Sequence, residues 1–89
     1  MHFVKGVQYI TDFRLRLLFE DGIEKEIDLL PYLDGEVFEP LKNVEMFRQV
    51  HVNEEIDTIV WENGADFSPD FLYEIGSLVK PGLKTAQVV

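Results

Sequence analysis

Few residues in this 89-residue chain are of the types that carry out nucleophilic or metal chemistry. The chain has no cysteine and two histidines, His2 and His51. No spacing of His, Asp and Glu is typical of a metal site. Ser68 precedes a proline as a helix cap would and Ser77 follows in the same helical pattern, so neither lies in a nucleophile turn such as G-x-S-x-G. We therefore expect no catalytic centre, no cofactor-binding site and no metal site, and enzyme activity is the less favoured class.

One stretch offers a candidate recognition site. Residues 61–66 read W-E-N-G-A-D and contain the single tryptophan of the chain. Trp61, Asn63 and Asp66 could line a small site in which an aromatic surface lies beside an amide and a carboxylate. The alternative is structural, because a large aromatic usually packs in the core and Asp66 can bond to N–H groups of its own loop. We expect the structural role.

A second candidate surface is acidic. Residues 20–39 hold eight acidic residues against one base, Lys25, and carry most of the net charge of −9. Glu24, Glu26 and Asp28 alternate along a strand and therefore project from one of its faces. This row fits a basic protein partner, and an ordinary solvated face is the alternative. Nucleic-acid affinity rests on Lys and Arg side chains, so we expect no nucleic-acid binding by this chain itself.

The element that positions the acidic row is a predicted β-hairpin. Its apolar face consists of Phe13, Leu15, Leu17, Phe19, Ile23, Ile27 and Leu29. A two-residue loop would place Phe19 opposite an acidic residue and mix the two faces. A three-residue loop, residues 20–22, places Phe19 opposite Ile23 and puts Gly22 in the left-handed position of a bulge turn. The pairs on the polar face are then Arg14 with Asp28 and Arg16 with Glu26.

Further strands and short helical turns are predicted on either side of the hairpin. Residues 4–10 read as a first strand, and residues 50–52 and 58–61 as two more that an acidic loop joins. Residues 37–47 have apolar residues at nearly helical spacing, but a proline and an asparagine interrupt them. We expect one or two short helical turns there.

The last predicted element is a helix that follows the candidate recognition site. Ser68 suits the N-cap, Pro69 the first helical position, and Asp70 the positive end of the helix dipole. Its apolar stripe would consist of Phe71, Leu72, Ile75, Leu78 and Val79. Residues 80–82, K-P-G, would end it, and the remaining residues have no strong pattern. We expect Trp61 to pack under this helix.

Length and composition fit one domain, residues 1–89, of the α+β class. We expect a small antiparallel sheet, formed by the hairpin plus further strands, with short helical turns and one C-terminal helix packed on it. A hydrophobic content of 46% with seven phenylalanines suffices for one core. No apolar run approaches the ~20 residues of a membrane helix, and residues 1–7 lack a signal-peptide profile. These features predict a cytoplasmic protein that does not enter the membrane.

Several segments, in this order and spacing, resemble the bacterial domain-of-unknown-function family 2442 (DUF2442). They read R-L-R-L-L-F-E-D-G, D-L-L-P-Y-L, F-E-P-L-K-N-V-E-M-F-R-Q-V-H-V and T-I-V-W-E-N-G-A-D-F-S-P-D-F-L-Y. The resemblance covers residues 4–76 and is most specific in W-x-N-G-A-D followed by P-D-x-L-Y. It implies a small bacterial α+β protein and supplies no catalytic residues.

The resemblance also implies a kind of partner. Many members look as if they are encoded beside another small protein, in an arrangement similar to toxin–antitoxin pairs. Some members carry a helix-turn-helix, which we do not expect in this chain. The favoured hypothesis is a protein–protein interaction module whose partner is a basic protein encoded nearby, a small toxin-like protein for example. A small-molecule-binding or catalytic domain that uses residues 61–66 is the alternative, and a homo-oligomer is compatible with either.

Overall fold

Short strands and shorter helices make up residues 2–79, the part of the chain that the computed structural model describes. The elements in chain order are strands β1 (Val4–Thr11), β2 (Arg14–Phe19) and β3 (Glu24–Asp28), helix α1 (Val44–Phe47), strands β4 (His51–Asn53) and β5 (Thr58–Val60), helix α2 (Pro69–Ile75) and strand β6 (Ser77–Leu78). One antiparallel sheet has the strand order β1-β2-β3-β6, and β4 and β5 form a second sheet. The predicted α+β class is confirmed.

The β2–β3 hairpin has the predicted register. Leu15 lies opposite Ile27, and the N–H of Phe19 donates to the carbonyl of Ile23 over 2.9 Å. Gly22, in the loop between them, has a φ of 86°, a left-handed conformation that glycine adopts without a Cβ clash. The three-residue loop keeps the apolar residues of both strands on one face, because a shift by one residue would turn them all to the other face.

The core lies on that apolar face of the large sheet. Its sheet residues are Val4, Leu15, Leu17, Phe19 and Ile27. The turns, both helices and the second sheet contribute Leu29, Leu33, Leu41, Phe47, Ile59, Trp61, Ala65, Phe67 and Leu72. All of these side chains form one contiguous cluster, so the two sheets and the helices share a single core.

Three single helical turns connect β3 to β4. Leu30–Tyr32 and Glu39–Lys42 are 3₁₀ turns, and each has a proline in its first two positions, where a missing N–H costs little. Helix α1 follows, and the side chain of Asn43 caps it by accepting from the N–H of Glu45 over 2.9 Å. The prediction of one or two short helical turns in residues 37–47 is confirmed.

Helix α2 begins as predicted but ends early. The Ser68 hydroxyl accepts from an N–H of the first turn over 3.5 Å, while the helix stops at Ile75 and Gly76 has an extended backbone. The expectation that Leu78 and Val79 continue the helical stripe is wrong. The chain after Gly76 pairs with β3 instead, because ladder hydrogen bonds satisfy backbone groups of β3 that would otherwise lie at a sheet edge.

Gly76 allows the chain to pass very close to β3. A Cβ atom at this position would lie 2.9 Å from Cγ1 of Ile27 and 2.9 Å from Cβ of Lys25. Such distances are shorter than a carbon–carbon contact permits, so a glycine is needed where α2 turns into β6.

Two sequence-based expectations concern the ends of the described region. The predicted helix stop at residues 80–82 and the tail after it lie outside the described residues. Within residues 2–79, no helix is both long and apolar enough to cross a bilayer.

Candidate functional site

The acidic row lies on the outer face of the large sheet. Glu24 and Glu26 are half-buried, and Asp28 is exposed. The guanidinium of Arg14 lies 3.5 Å from the carboxylate of Glu26. The carboxylate of Asp28 accepts from the N–H of Leu30 over 3.1 Å and so helps to start the following 3₁₀ turn. A neighbouring base therefore neutralises part of the row, while Glu24 has no ion-pair partner within residues 2–79.

The charged pairs across the hairpin follow the predicted register but not the predicted contacts. Arg14 lies opposite Asp28, and Arg16 opposite Glu26. The ion pair nevertheless runs diagonally from Arg14 to Glu26, since a long side chain reaches the diagonal neighbour on the same face. The outer face thus places the bases of β2 beside the acids of β3.

Lys25, the one base of residues 20–39, belongs to the opposite face. It pairs with Leu17 across the ladder, and its amine lies 3.8 Å from the centroid of the Tyr73 ring. The amine also donates to the Tyr73 carbonyl. Because this carbonyl is in the last turn of α2, the cation stabilises the negative end of the helix dipole. Lys25 therefore does not neutralise the acidic row.

Residues 61–66 form a turn that closes on itself. Trp61 is 2% exposed, and its indole N–H donates to the carbonyl of Phe47 over 2.9 Å. Its backbone N–H donates to the carbonyl of Ala65, and its carbonyl accepts from the N–H of Gly64, both over 3.0 Å. The indole ring is buried against Phe47 and Phe67. Every polar group of Trp61 is thus bonded inside the fold.

Asn63 and Asp66 differ in how much of their side chains the turn uses. The amide of Asn63 donates to the carbonyl of Val37 over 2.9 Å and accepts from the N–H of Ala65 over 3.1 Å. Asp66 is exposed, its backbone bridges to Val60, and its carboxylate has no hydrogen bond within the described region. The turn brings the three predicted residues together, yet it leaves only the Asp66 carboxylate unengaged. The recognition role of this corner stays a prediction.

An exposed aromatic cluster was not predicted from the sequence. The rings of Tyr32 and Phe71 meet edge to face with centroids 5.3 Å apart, and they are 39% and 36% exposed. Leu30, in the same 3₁₀ turn as Tyr32, is 45% exposed. We call Leu30, Tyr32 and Phe71 the aromatic patch. Phe71 was expected in the core, and that expectation is wrong: Leu72 takes the inward position of α2, and adjacent helical residues point about 100° apart.

His2 and the loop of the hairpin are both fastened to α2. The N–H of His2 donates to the Asp70 carboxylate over 2.8 Å, and its ring stacks on Tyr73 with centroids 3.6 Å apart. The Tyr73 hydroxyl donates to the Asp21 carboxylate over 3.0 Å. The His2 N–H lowers the pKa of Asp70, and the Ile23 N–H lowers the pKa of Asp21. The Asp21 carboxylate in turn raises the pKa of Tyr73. These hydrogen bonds and the ring stack lie at the surface and do not enclose a site.

Two concave features lie on the surface of the described region. One depression of about 280 Å³ is open to solvent and is lined by Asn43, Glu45, Met46, Gln49 and Glu62. A smaller one on the outer face of the large sheet lies beside Arg16 and Leu18. Within residues 2–79, no group of three His, Asp or Glu side chains is placed to hold a metal ion.

Comparison with known proteins places the chain in a family. Neither the curated proteins nor the solved structures contain a significant match. The sequence model of the family described as "Protein of unknown function (DUF2442)" matches residues 4–76, which include the hairpin, the corner at residues 61–66 and the aromatic patch. The resemblance seen in the sequence is therefore confirmed, and the chain belongs to the DUF2442 family.

Proposed function

We propose that this chain is a protein–protein interaction module of a bacterial cytoplasm and that its partner is a basic protein. One observation carries the proposal: the acidic charge of residues 20–39 is turned outward, while Lys25 lies under α2 against Tyr73. Such a field attracts a basic partner over distances of a Debye length and speeds the association of the two proteins.

The acidic surface is only partly neutralised by nearby bases. Its exposed members are Glu20, Asp21, Asp28, Asp34, Glu36 and Glu39. Arg14 pairs with Glu26, and the amine of Lys42 lies 3.1 Å from Glu39 and 3.7 Å from Asp34. Several of these carboxylates therefore have no ion pair within the described residues, which favours the proposed partner over nucleic acid.

The proposed contact is centred on Glu24, Glu26 and Asp28. A rigid strand holds the three carboxylates on one face, so a basic partner meets them without first ordering a loop. The first candidate is the protein encoded beside this chain, a small toxin-like protein if the arrangement resembles that of a toxin–antitoxin pair.

Calorimetric titration with the purified product of the neighbouring gene tests the proposal. Raising the ionic strength from about 0.01 M to about 0.15 M shortens the screening length from about 30 Å to about 8 Å, so affinity is expected to fall. Replacing Glu24, Glu26 and Asp28 together by lysine is expected to weaken binding by about tenfold or more.

A matched control changes the same amount of charge elsewhere. Glu54, Glu55 and Glu62 are exposed and lie at the turn between β4 and β5 and at the corner. Their joint replacement by lysine alters net charge equally and is expected to weaken binding much less. Equal losses in the two variants would mean that net charge alone drives association. No binding of the neighbour at low ionic strength would reject it as the partner.

A further inference from the structure

We infer that the aromatic patch is the apolar anchor point of this interaction and that the partner's binding segment carries aliphatic side chains flanked by Lys or Arg. The inference rests on the proposed function, because the charge of the partner comes from there. It adds a second contact area, made by Leu30, Tyr32 and Phe71, and a chemical description of the segment that occupies it.

The patch is apolar, exposed and already ordered. Behind its rings the stack continues inward, since Phe71 stacks on Phe67 at 6.1 Å and Phe67 on Phe38 at 4.7 Å. Tyr32 meets the edge of Phe71 from a different element. Rings held in this way lose little rotamer freedom on binding, and aromatic side chains with rigid support are the usual anchors of protein interfaces.

Carboxylates border the patch on several sides. Asp28 bonds to the N–H of Leu30, Asp34 follows Tyr32 by two residues, and Asp70 directly precedes Phe71. Glu74, exposed and one helical turn beyond Phe71, adds a fourth. Basic side chains of a bound segment would therefore meet acids beside an apolar centre, as in the common arrangement of a polar rim around an interface core.

The patch and the acidic row are joined at Asp28. This residue is the last member of the row, and its carboxylate holds the backbone of Leu30, the first member of the patch. The end of the row is therefore fastened to the start of the patch.

The bordering charge also argues against a second copy of this chain as the occupant. In a two-fold symmetric contact through the patch, Asp28, Asp34 and Asp70 would approach their own symmetry mates. Like charges brought together at an interface are unfavourable. A basic segment has the opposite effect, so the patch fits a foreign partner better.

The test measures the binding of three synthetic amphipathic helical peptides to this protein. The first consists of leucine and lysine, the second has glutamine in place of leucine, and the third has glutamate in place of lysine. The first is expected to bind, and the other two to bind about tenfold more weakly or worse, because each lacks one of the two required features. Equal binding of all three would overturn the inference.

Substitutions locate the contact. Phe71→Ser and Tyr32→Ser are expected to weaken binding of the leucine–lysine peptide by about tenfold. Ile56→Ser is the matched control, because Ile56 is 47% exposed in the turn between β4 and β5. Near-ultraviolet dichroism of Trp61 reports whether each variant is folded. If Phe71→Ser does not fold, Leu30→Ser takes its place. Amide chemical-shift changes of the wild-type protein on addition of the peptide then locate the contact as well.

The outcomes separate this inference from the proposed function. If the lysine substitutions in the acidic row abolish binding and the patch variants leave it unchanged, the inference is refuted and the proposed function stands. Amide shifts confined to the patch and lost with Phe71→Ser would support it. If sedimentation shows a dimer that Phe71→Ser converts to a monomer, and neither form binds the peptide, the patch is the contact surface for a second copy. That outcome would refute the inference.

Discussion

Trp61 and Phe71 belong to one strand–turn–helix corner, but Trp61 is buried and Phe71 is exposed. Trp61 follows β5, whose Ile59 is fully buried, and its indole N–H finds a carbonyl inside the core. Phe71 lies in a short helix whose inward position Leu72 occupies, so its ring forms the outer end of an aromatic stack. Burial here follows the position within the element and not the size of the side chain.

The contrast separates residues that make the fold from residues that are available to a partner. The corner that looked most like a recognition site uses the polar groups of Trp61 and Asn63 for hydrogen bonds inside the fold. Tyr32 and Phe71, which looked like ordinary apolar residues, remain partly open to solvent. In a chain this small, candidate sites are better sought among apolar residues that the core leaves out.

The largest expected effect is that of Trp61→Ala. Truncation of a buried tryptophan typically costs about 3–5 kcal/mol, and the carbonyl of Phe47 would lose its donor as well. Because the whole free energy of unfolding is about 5–15 kcal/mol for a typical protein and small chains lie at the low end, most of the stability would be lost. Urea denaturation followed by far-ultraviolet dichroism measures this loss.

Phe71→Ala is the paired measurement for Trp61→Ala. Phe71 keeps part of its surface in water and contributes mainly ring contacts, so the expected cost is about 1 kcal/mol. A Trp61→Ala protein that is as stable as Phe71→Ala, and has lost only the binding of a ligand or partner, would reverse the roles assigned to the two aromatics. The corner at residues 61–66 would then be a recognition site.

An effect smaller than that of Trp61→Ala is expected from Thr58→Val. Thr58 is buried, and its hydroxyl donates to the Phe67 carbonyl over 2.6 Å, which fastens β5 to the chain just before α2. Valine keeps the shape but leaves that carbonyl without a partner, at a cost of about 1–3 kcal/mol. Thr58→Ser, which keeps the hydroxyl, should recover part of this loss. If valine is the more stable of the two, the hydrogen bond is not what holds the corner.

The smallest expected effect concerns pH and the outward side of α2. The His2 N–H lowers the pKa of Asp70 in the folded protein. A carboxyl whose folded pKa lies below its unfolded value of about 3.9 stabilises the fold above that pH, and this stabilisation is lost as pH falls through the folded pKa. Acid titration of unfolding free energy should therefore show a shallower loss for Asp70→Asn than for the wild-type protein. An equally steep loss in the two proteins would contradict this expectation.

Local patterns were sufficient for the hairpin and insufficient for the end of α2. The register followed from alternating residues and from Gly22, all within one short segment. Ile75, Leu78 and Val79 continue a helical spacing, however, and only the proximity of β3 decides that the chain leaves the helix at Gly76. A single sequence does not contain that proximity in any local pattern.

The candidate surfaces were predictable to a similar extent. Alternation placed Glu24, Glu26 and Asp28 on one face because strand geometry is local. The contact of Lys25 with Tyr73 and the meeting of Tyr32 with Phe71 each join distant parts of the chain. Both depend on how α2 docks, and so neither could be read from periodicity.

Strand β6 completes the sheet only after nearly all of the described chain has been synthesised. Roughly fifty residues separate Lys25 from its ladder partner Leu78, and ribosomes add about 5–20 residues per second, so the edge of β3 is unpaired for several seconds. Unpaired edges recruit strands of other nascent chains. Charged residues at consecutive positions, Glu24, Lys25 and Glu26, oppose such recruitment on both faces of the strand. The composition of β3 thus suits a sheet whose last strand arrives late.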